Sequence, residues 1–341
     1  MNETEIIRST VESFRKGEDL ADRDIPCFFD SLLNEQDEDL LGSILKAWTK
    51  KGFTENELFG LASIMRQRCI RIDAGHDIFV DIVGSGGSRT KTFNVSTAAA
   101  FIVAGAGIPV AKHGNRAASS NSGSADVLQA LGIDPAVDAA TVSNCLREIG
   151  ICFMFAPNFH RLSPVLGKVR RALGFPTVFN ILGPLCNPAA APHQIIGVWD
   201  HKLAAIVARV LARLGTRRSW VVSGMDGLDE ITLDGETRIF EVKGADVRDR
   251  SIRPEDFGRP QSKLDSLRVA SPAESAGLIR RIVSGRENGQ PSEDLVLLSA
   301  AAAINVTMET HLPAAIELAR ESIRSGAAES KLFQLAGMTN K

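Results

Sequence analysis

Residues 81–101 read DIVGSGGSRTKTFNVSTAAAF. A short apolar run enters a glycine loop at Gly84, Gly86 and Gly87. The loop then feeds an alanine-rich helix opened by Asn94, Ser96 and Thr97. Strand, glycine turn and helix in succession are the repeating unit of a parallel sheet. Glycines let the backbone approach a ligand, and a helix start adds unpaired amides and the positive end of the dipole. Together they form an anion site, most naturally for phosphate. Read alone, the stretch is explained equally well as a glycine turn with a serine cap.

Working outward, strand-like runs recur at residues 78–83, 108–113, 150–155, 176–182, 194–199 and 219–224, separated by helix-like segments. That alternation implies βαβ units with helices packed around a mostly parallel sheet. The run GETRIFEV (235–242) reads as an antiparallel hairpin arm. Upstream, residues 1–73 show only helical spacing, with Gly17 and Gly52 placed to stop helices and Thr54 and Glu57 in a capping-box pattern. From Pro272 onward the chain is helical again, and EDLVLLSAAAAINV is apolar nearly all round. The expected architecture is α/β. A small all-helical N-terminal domain (1–73), open to a later helical segment, precedes a larger α/β domain (78–341) with a mostly parallel central sheet surrounded by helices.

Composition narrows the functional classes. Lys plus Arg number 39 against 41 acids, and the net charge of -2 argues against a general nucleic-acid coat. Tyrosine is absent and only three tryptophans occur, which disfavours a base-stacking surface. Five scattered cysteines without a CxxC pair read as reduced, buried thiols. The polar, acidic start MNETEIIRST is no signal peptide, and no apolar run is long enough to span a bilayer. A soluble cytoplasmic protein is expected.

A second constellation follows the next strand. VAKHGNRAASSNSGSADVLQALG (110–132) packs Lys112, His113, Asn115, Arg116, Ser119 and Ser120 into nine residues. Two donor-rich loops after successive parallel strands face the same end of the sheet, where an anionic, sugar-bearing ligand is bound. Taken singly, Lys112 reads as a solvated charge, and Asn115 and Ser119 as turn chemistry. The DE pair of GMDGLDEIT (224–232) reads alone as an acidic surface turn.

The run from GSGG through KHGNRAASSNSGSADVLQALG resembles the anthranilate phosphoribosyltransferase family. So do GICFMFAPNFH (150–160), VRRALGFPTVFNILGPLCNP (169–188) and DGLDEIT (226–232). The likeness covers nearly the whole chain. It implies transfer of the phosphoribosyl group of phosphoribosyl pyrophosphate (PRPP) to the amino group of anthranilate, with Mg²⁺ as cofactor, release of pyrophosphate, and a homodimer. It places Gly84, Ser85, Gly87, Ser88, Asn94, Ser96, Thr97, Lys112, Ser119 and Ser120 at PRPP. Gly84, His113, Asn115, His160 and Arg170 fall at anthranilate, with Arg171 the second candidate for its carboxylate. Ser96, Asp229 and Glu230 fall at the metal. No nucleophile or base is assigned, because an aniline nitrogen is already unprotonated near neutral pH, so positioning and electrostatics are expected to carry catalysis.

The chain departs from the family pattern GTGGDG, having Ser88 for the aspartate and Arg89 for the last glycine. That exchange is expected to alter magnesium dependence, with Arg89 neutralising phosphate or pointing to solvent. Ser163 stands where a larger residue is common, and Ser299 where asparagine is. Three alternatives stay open: a paralogue with another aromatic acceptor, a pyrimidine nucleoside phosphorylase, and a non-catalytic relative binding nucleic acid or another ligand. The phosphorylase pattern begins with Lys-His where this chain has Val83 and Gly84. A non-catalytic relative would have lost the KHGN, DE and NxST features that persist here.

Overall fold

The computed structural model describes residues 2–88, 90–117 and 122–340. Four helices come first: α1 (Glu3–Arg15), α2 (Ile25–Asn34), α3 (Glu38–Lys51) and α4 (Glu55–Arg68). The α/β part runs β1 (Val80–Gly84), α5 (Val95–Gly105), β2 (Val110–Gly114), α6 (Ser124–Ala130), α7 (Ala139–Ile149), β3 (Ile151–Phe155), α8 (Ala156–Phe159), α9 (Pro164–Leu173), α10 (Val178–Leu185), β4 (His193–Gly197), α11 (His201–Arg213) and β5 (Arg218–Gly224). A hairpin of β6 (Thr237–Lys243) and β7 (Asp246–Ile252) leads to α12 (Pro272–Val283), α13 (Pro291–Met308), α14 (Leu312–Arg324) and α15 (Ala327–Thr339).

The strands form one sheet in the order β3-β2-β1-β4-β5-β6-β7. The first five are parallel and the hairpin is antiparallel to them. Alternate strand residues serve two cores. Ile82, Ile195 and Trp220 face α5 and the C-terminal helices, whereas Val83, Ile196 and Val221 face α1–α4, α9, α10 and α11. Burial on both faces explains why these strands are continuously apolar in sequence. Helix α13 is buried from Ser292 to Thr307, which accounts for its apolar composition; among the described residues no single helix is long and apolar enough to cross a membrane.

The Thr54–Glu57 box forms, with Glu57 Oε2 accepting the Thr54 amide at 3.0 Å. Fully buried Glu57 also accepts from Trp48 Nε1 at 3.1 Å, Lys51 Nζ at 2.9 Å and the Leu20 amide at 3.0 Å. Glu57→Ala strands these donors in the helical core. Removing one partner of such a buried pair costs about 3–5 kcal/mol, to be read from denaturant unfolding.

Three expectations change. Residues 176–182 are not a strand: Val178–Leu185 is helix α10. Asn180 Oδ1 accepts the Thr177 amide at 3.0 Å, a cap three residues into the helix. A short, wholly buried apolar run carries no period to separate the two states. Of the five free cysteines, only Cys145, Cys152 and Cys186 are buried. Finally, the apolar faces of α2–α4, available in sequence for a subunit contact, are covered within this chain: Phe28, Leu32, Leu41, Ile44, Leu58 and Leu61 lie in its second core.

Candidate active site

The chain order reverses between β1 and β4, and a cavity of about 690 Å³ opens there at the carboxyl ends of the parallel strands. This switch point is where open α/β sheets bind ligands.

One pole of the cavity is polar. Asp229, after β5, accepts the Gly86 amide at 2.8 Å and the Ser85 hydroxyl at 3.2 Å on Oδ2. Ser88 and Thr90 add a latch, donating their hydroxyls to the carbonyls of Gly227 (3.1 Å) and Asp226 (2.9 Å). The glycine loop and the acidic turn are therefore one unit. Gly197, ending β4, permits that docking, because a Cβ there would lie 1.7 Å from the Asp229 carbonyl oxygen. Gly197→Ala displaces the turn, an overpacking cost of about 1–3 kcal/mol. Unfolding measurements paired with a magnesium titration should show both the instability and a weakened metal response.

Glu230 lies against α5, where the Ser96 amide donates to it, and the Ser299 hydroxyl donates to Oε2 at 3.2 Å. Burial and the neighbouring Asp229 push the Glu230 carboxyl up to about 8, and burial also raises Asp229. Two adjacent carboxyls short of positive charge fit a cation. Among the described residues no cluster of three or more His, Cys, Asp or Glu forms a metal cage. Two carboxylates and a serine leave the remaining positions to water and phosphate, as Mg²⁺ prefers. Lys112 is buried beside them, donating to the Ile82 carbonyl and, at 3.2 Å, to the Ser96 hydroxyl.

The other pole is less polar, lined by Met65, Leu162, Phe179 and Pro184. His113 Nδ1 meets the Gly183 carbonyl at 3.0 Å, and its ring centroid lies 5.1 Å from that of His160. Burial foremost, then His160, drives the His113 pKa down to about 3, and burial takes His160 to about 4, so both rings are neutral. Nε2 of each ring is buried and has no hydrogen-bond partner among the described residues. Arg170, on α9, stacks 5.0 Å over the Phe179 ring, and its Nε is likewise buried and unpartnered. Burial, with Arg171 adding to it, lowers the guanidinium to about 10. A desolvated cation without an anion awaits a carboxylate.

The cavity thus gathers Gly84, Ser85, Ser88, Asn94, Ser96, Lys112, His113, Asn115, His160, Arg170, Asp229 and Glu230. It does not include Gly87 or Thr97. Gly87 packs on Trp199, where a Cβ would meet the indole at 2.1 Å, and Thr97 is buried inside the core. Ser119, Ser120 and Arg89 lie outside the described residues. Asn94 lines the cavity while its side chain is held by Ser122 and Ser275. The Asn115 oxygen accepts the Arg116 amide at 2.7 Å.

Sequence reasoning missed Asn180, which donates to the Ser85 carbonyl at 3.0 Å and ties α10 to the glycine loop, and it missed Lys91 on the rim. Both stand inside the quoted motifs, but neither residue type is distinctive there.

Residues 76–329 match the profile of the glycosyl transferase family a/b domain. The chain is 45% identical over 293 residues to the anthranilate phosphoribosyltransferase of Moorella thermoacetica, covering 86% of each protein. Its fold matches the crystal structure of the Thermus thermophilus anthranilate phosphoribosyltransferase with a TM-score of 0.87 at 36% identity, over 97% of this chain and 99% of that one. It also matches the Saccharomyces cerevisiae anthranilate phosphoribosyltransferase, in complex with PRPP and Mg, with a TM-score of 0.88 at 27% identity over 98% of each. With a glycine loop, a DE pair and a lone guanidinium converging on one switch-point cavity, and with likeness of this extent, the chain belongs to the anthranilate phosphoribosyltransferase family.

Proposed function

We propose that this protein transfers the phosphoribosyl group of PRPP to the amino group of anthranilate, giving N-(5-phosphoribosyl)anthranilate and pyrophosphate. The observation that carries the reading is the division of one cavity into two poles. The glycine loop, Lys112 and the DE pair suit a polyanion, and unpaired Arg170 beside two neutral imidazoles suits an amine that bears a carboxylate.

Ser96, Asp229 and Glu230 would hold Mg²⁺, which when bound neutralises charge developing on the pyrophosphate. Lys112 adds a fixed cation near the same phosphates, preorganised by its buried contacts. Arg170 grips the acceptor's carboxylate through paired N–H donors and orients the amine. The new C–N bond forms at the anomeric carbon as the C–O bond to pyrophosphate breaks, and the amine loses a proton. Holding both reactants in one cavity makes this step effectively unimolecular.

Ser88 donates to backbone carbonyls and takes the place of the family's loop aspartate without offering a metal ligand. The DE pair therefore carries the metal site. The phosphorylase alternative loses its ground, since the relatives that match are anthranilate phosphoribosyltransferases. A cytoplasmic setting, a homodimer and the boundary between a helical unit (1–73) and an α/β unit (78–341) belong to the same proposal. The homodimer rests on family resemblance alone, and sedimentation velocity measures it.

The test is loss of anthranilate fluorescence with purified protein, PRPP and Mg²⁺. Loss that requires both enzyme and PRPP, with equimolar pyrophosphate, supports the reading. A folded protein that leaves the fluorescence unchanged at every magnesium concentration contradicts it.

A further inference from the structure

The carbonyl end of α10 receives side chains from four directions. A helix leaves its last carbonyls without intrahelical donors. Here Gly183 takes the ring of His113 at 3.0 Å, Pro184 takes Gln194 Nε2 at 3.1 Å, and Leu185 takes Arg66 Nε at 2.6 Å. Cys186, at the cap, takes His160. The His113 backbone is pinned as well, since its amide donates to buried Asp81 Oδ1 at 3.2 Å. Asp81 Oδ2 in turn accepts Asn187 Nδ2 at 2.8 Å, just beyond the same helix end.

A carbonyl oxygen can only accept, so the His113 nitrogen facing Gly183 must carry hydrogen, and that nitrogen is Nδ1. In a neutral imidazole the other nitrogen is then bare. His160 has no partner at Nε2, so its bond to Cys186 runs through Nδ1 and the same reasoning applies. Both bare nitrogens belong to rings that line the cavity.

We propose that the carbonyl end of α10 sets the tautomers of His113 and His160, holding both as Nδ1–H, so that their Nε2 lone pairs accept hydrogen bonds from the N–H of the acceptor amine. Arg170 recognises the acid function of the acceptor and the two histidines recognise its amine. Arg66 and Gln194 are positioning residues in this scheme, because they share the helix end and touch no ligand-facing atom of either ring. The inference rests on the transferase reading for the identity of the amine, but the tautomer itself does not.

The experiment is nitrogen NMR of protein labelled with ¹⁵N-histidine. The chain has six histidines, and His113→Asn, which can still donate to Gly183, assigns one of them. The expected spectrum shows an unprotonated Nε2 for His113 and His160 across neutral pH. With PRPP and Mg²⁺ present, anthranilate should shift the His113 Nε2 resonance, and benzoate, which lacks the amine, should leave it in place. The His113→Asn variant should raise the KM for anthranilate roughly three- to tenfold, the worth of one hydrogen bond. A protonated Nε2, or an imidazolium at neutral pH, overturns the inference while leaving any measured turnover intact. An equal shift with benzoate also overturns the amine contact. A bare Nε2 in a protein inert toward anthranilate supports the helix-set tautomer and overturns its assigned partner.

Discussion

Arg170→Ala should lower kcat/KM for anthranilate roughly ten- to 150-fold while leaving the KM for PRPP near its wild-type value. A hydrogen bond to a charged group contributes about 1.5–3 kcal/mol, and each 1.36 kcal/mol is tenfold in rate. The guanidinium stacks on Phe179 and has no acidic partner in any ion pair of the described residues, so its loss breaks no salt bridge. Burial already disfavours its charge. Thermal stability should therefore hold or rise as activity falls, a combination that a merely structural arginine would not give. Steady-state kinetics in both substrates together with a melting curve check it. Arg170→Lys should recover little, because a point charge cannot reproduce the two-pronged fork.

Glu230→Gln is the second large effect, with kcat falling roughly 10²- to 10³-fold, the usual consequence of losing one preorganised electrostatic contact to a transition state. The substitution keeps the side chain's shape and can still accept from Ser299, so the fold should be preserved. Asp229 is a less clean probe, because its carboxylate also fixes Ser85 and Gly86. For Glu230→Gln, a magnesium titration should show the midpoint moved to higher concentration, with partial recovery at saturation. Unchanged kinetics would remove the DE pair from the metal's coordination.

Much of this architecture is readable before any coordinate is known, and the exceptions have physical causes. Strands β1 to β5 are buried on both faces, so each appears as a compact apolar run ahead of a turn. The Thr54–Glu57 cap is legible because its chemistry is local. Helix α10 is not, since eight residues buried on most sides look the same whether coiled or extended. Its cap, Asn180, becomes informative only once the helix is suspected. Strand β7 escapes for the opposite reason: DVRDRSI is polar and mostly exposed, a charged sheet edge without an apolar period.

The same division holds at the site. Lys112, Asp229 and Glu230 stand out because buried or convergent charges are chemically conspicuous in their motifs. Gly87 and Thr97 sit in those motifs and serve packing instead. No local pattern reveals that Ser299, some seventy positions downstream, donates to Glu230, or that four side chains meet at the end of α10. Such contacts depend on tertiary placement, and a sequence window does not contain them.

The central claim is that one cavity has two separable poles, the polyanion at the glycine loop and DE pair, the aromatic acid at Arg170. Calorimetric titration of PRPP with Mg²⁺ into Arg170→Ala and Glu230→Gln, followed by anthranilate into each saturated protein, tests it most directly. The account predicts near-native PRPP binding and lost anthranilate binding for Arg170→Ala, and weakened PRPP binding for Glu230→Gln. Loss of PRPP affinity in Arg170→Ala, with Glu230→Gln binding PRPP as the wild type does, would contradict it.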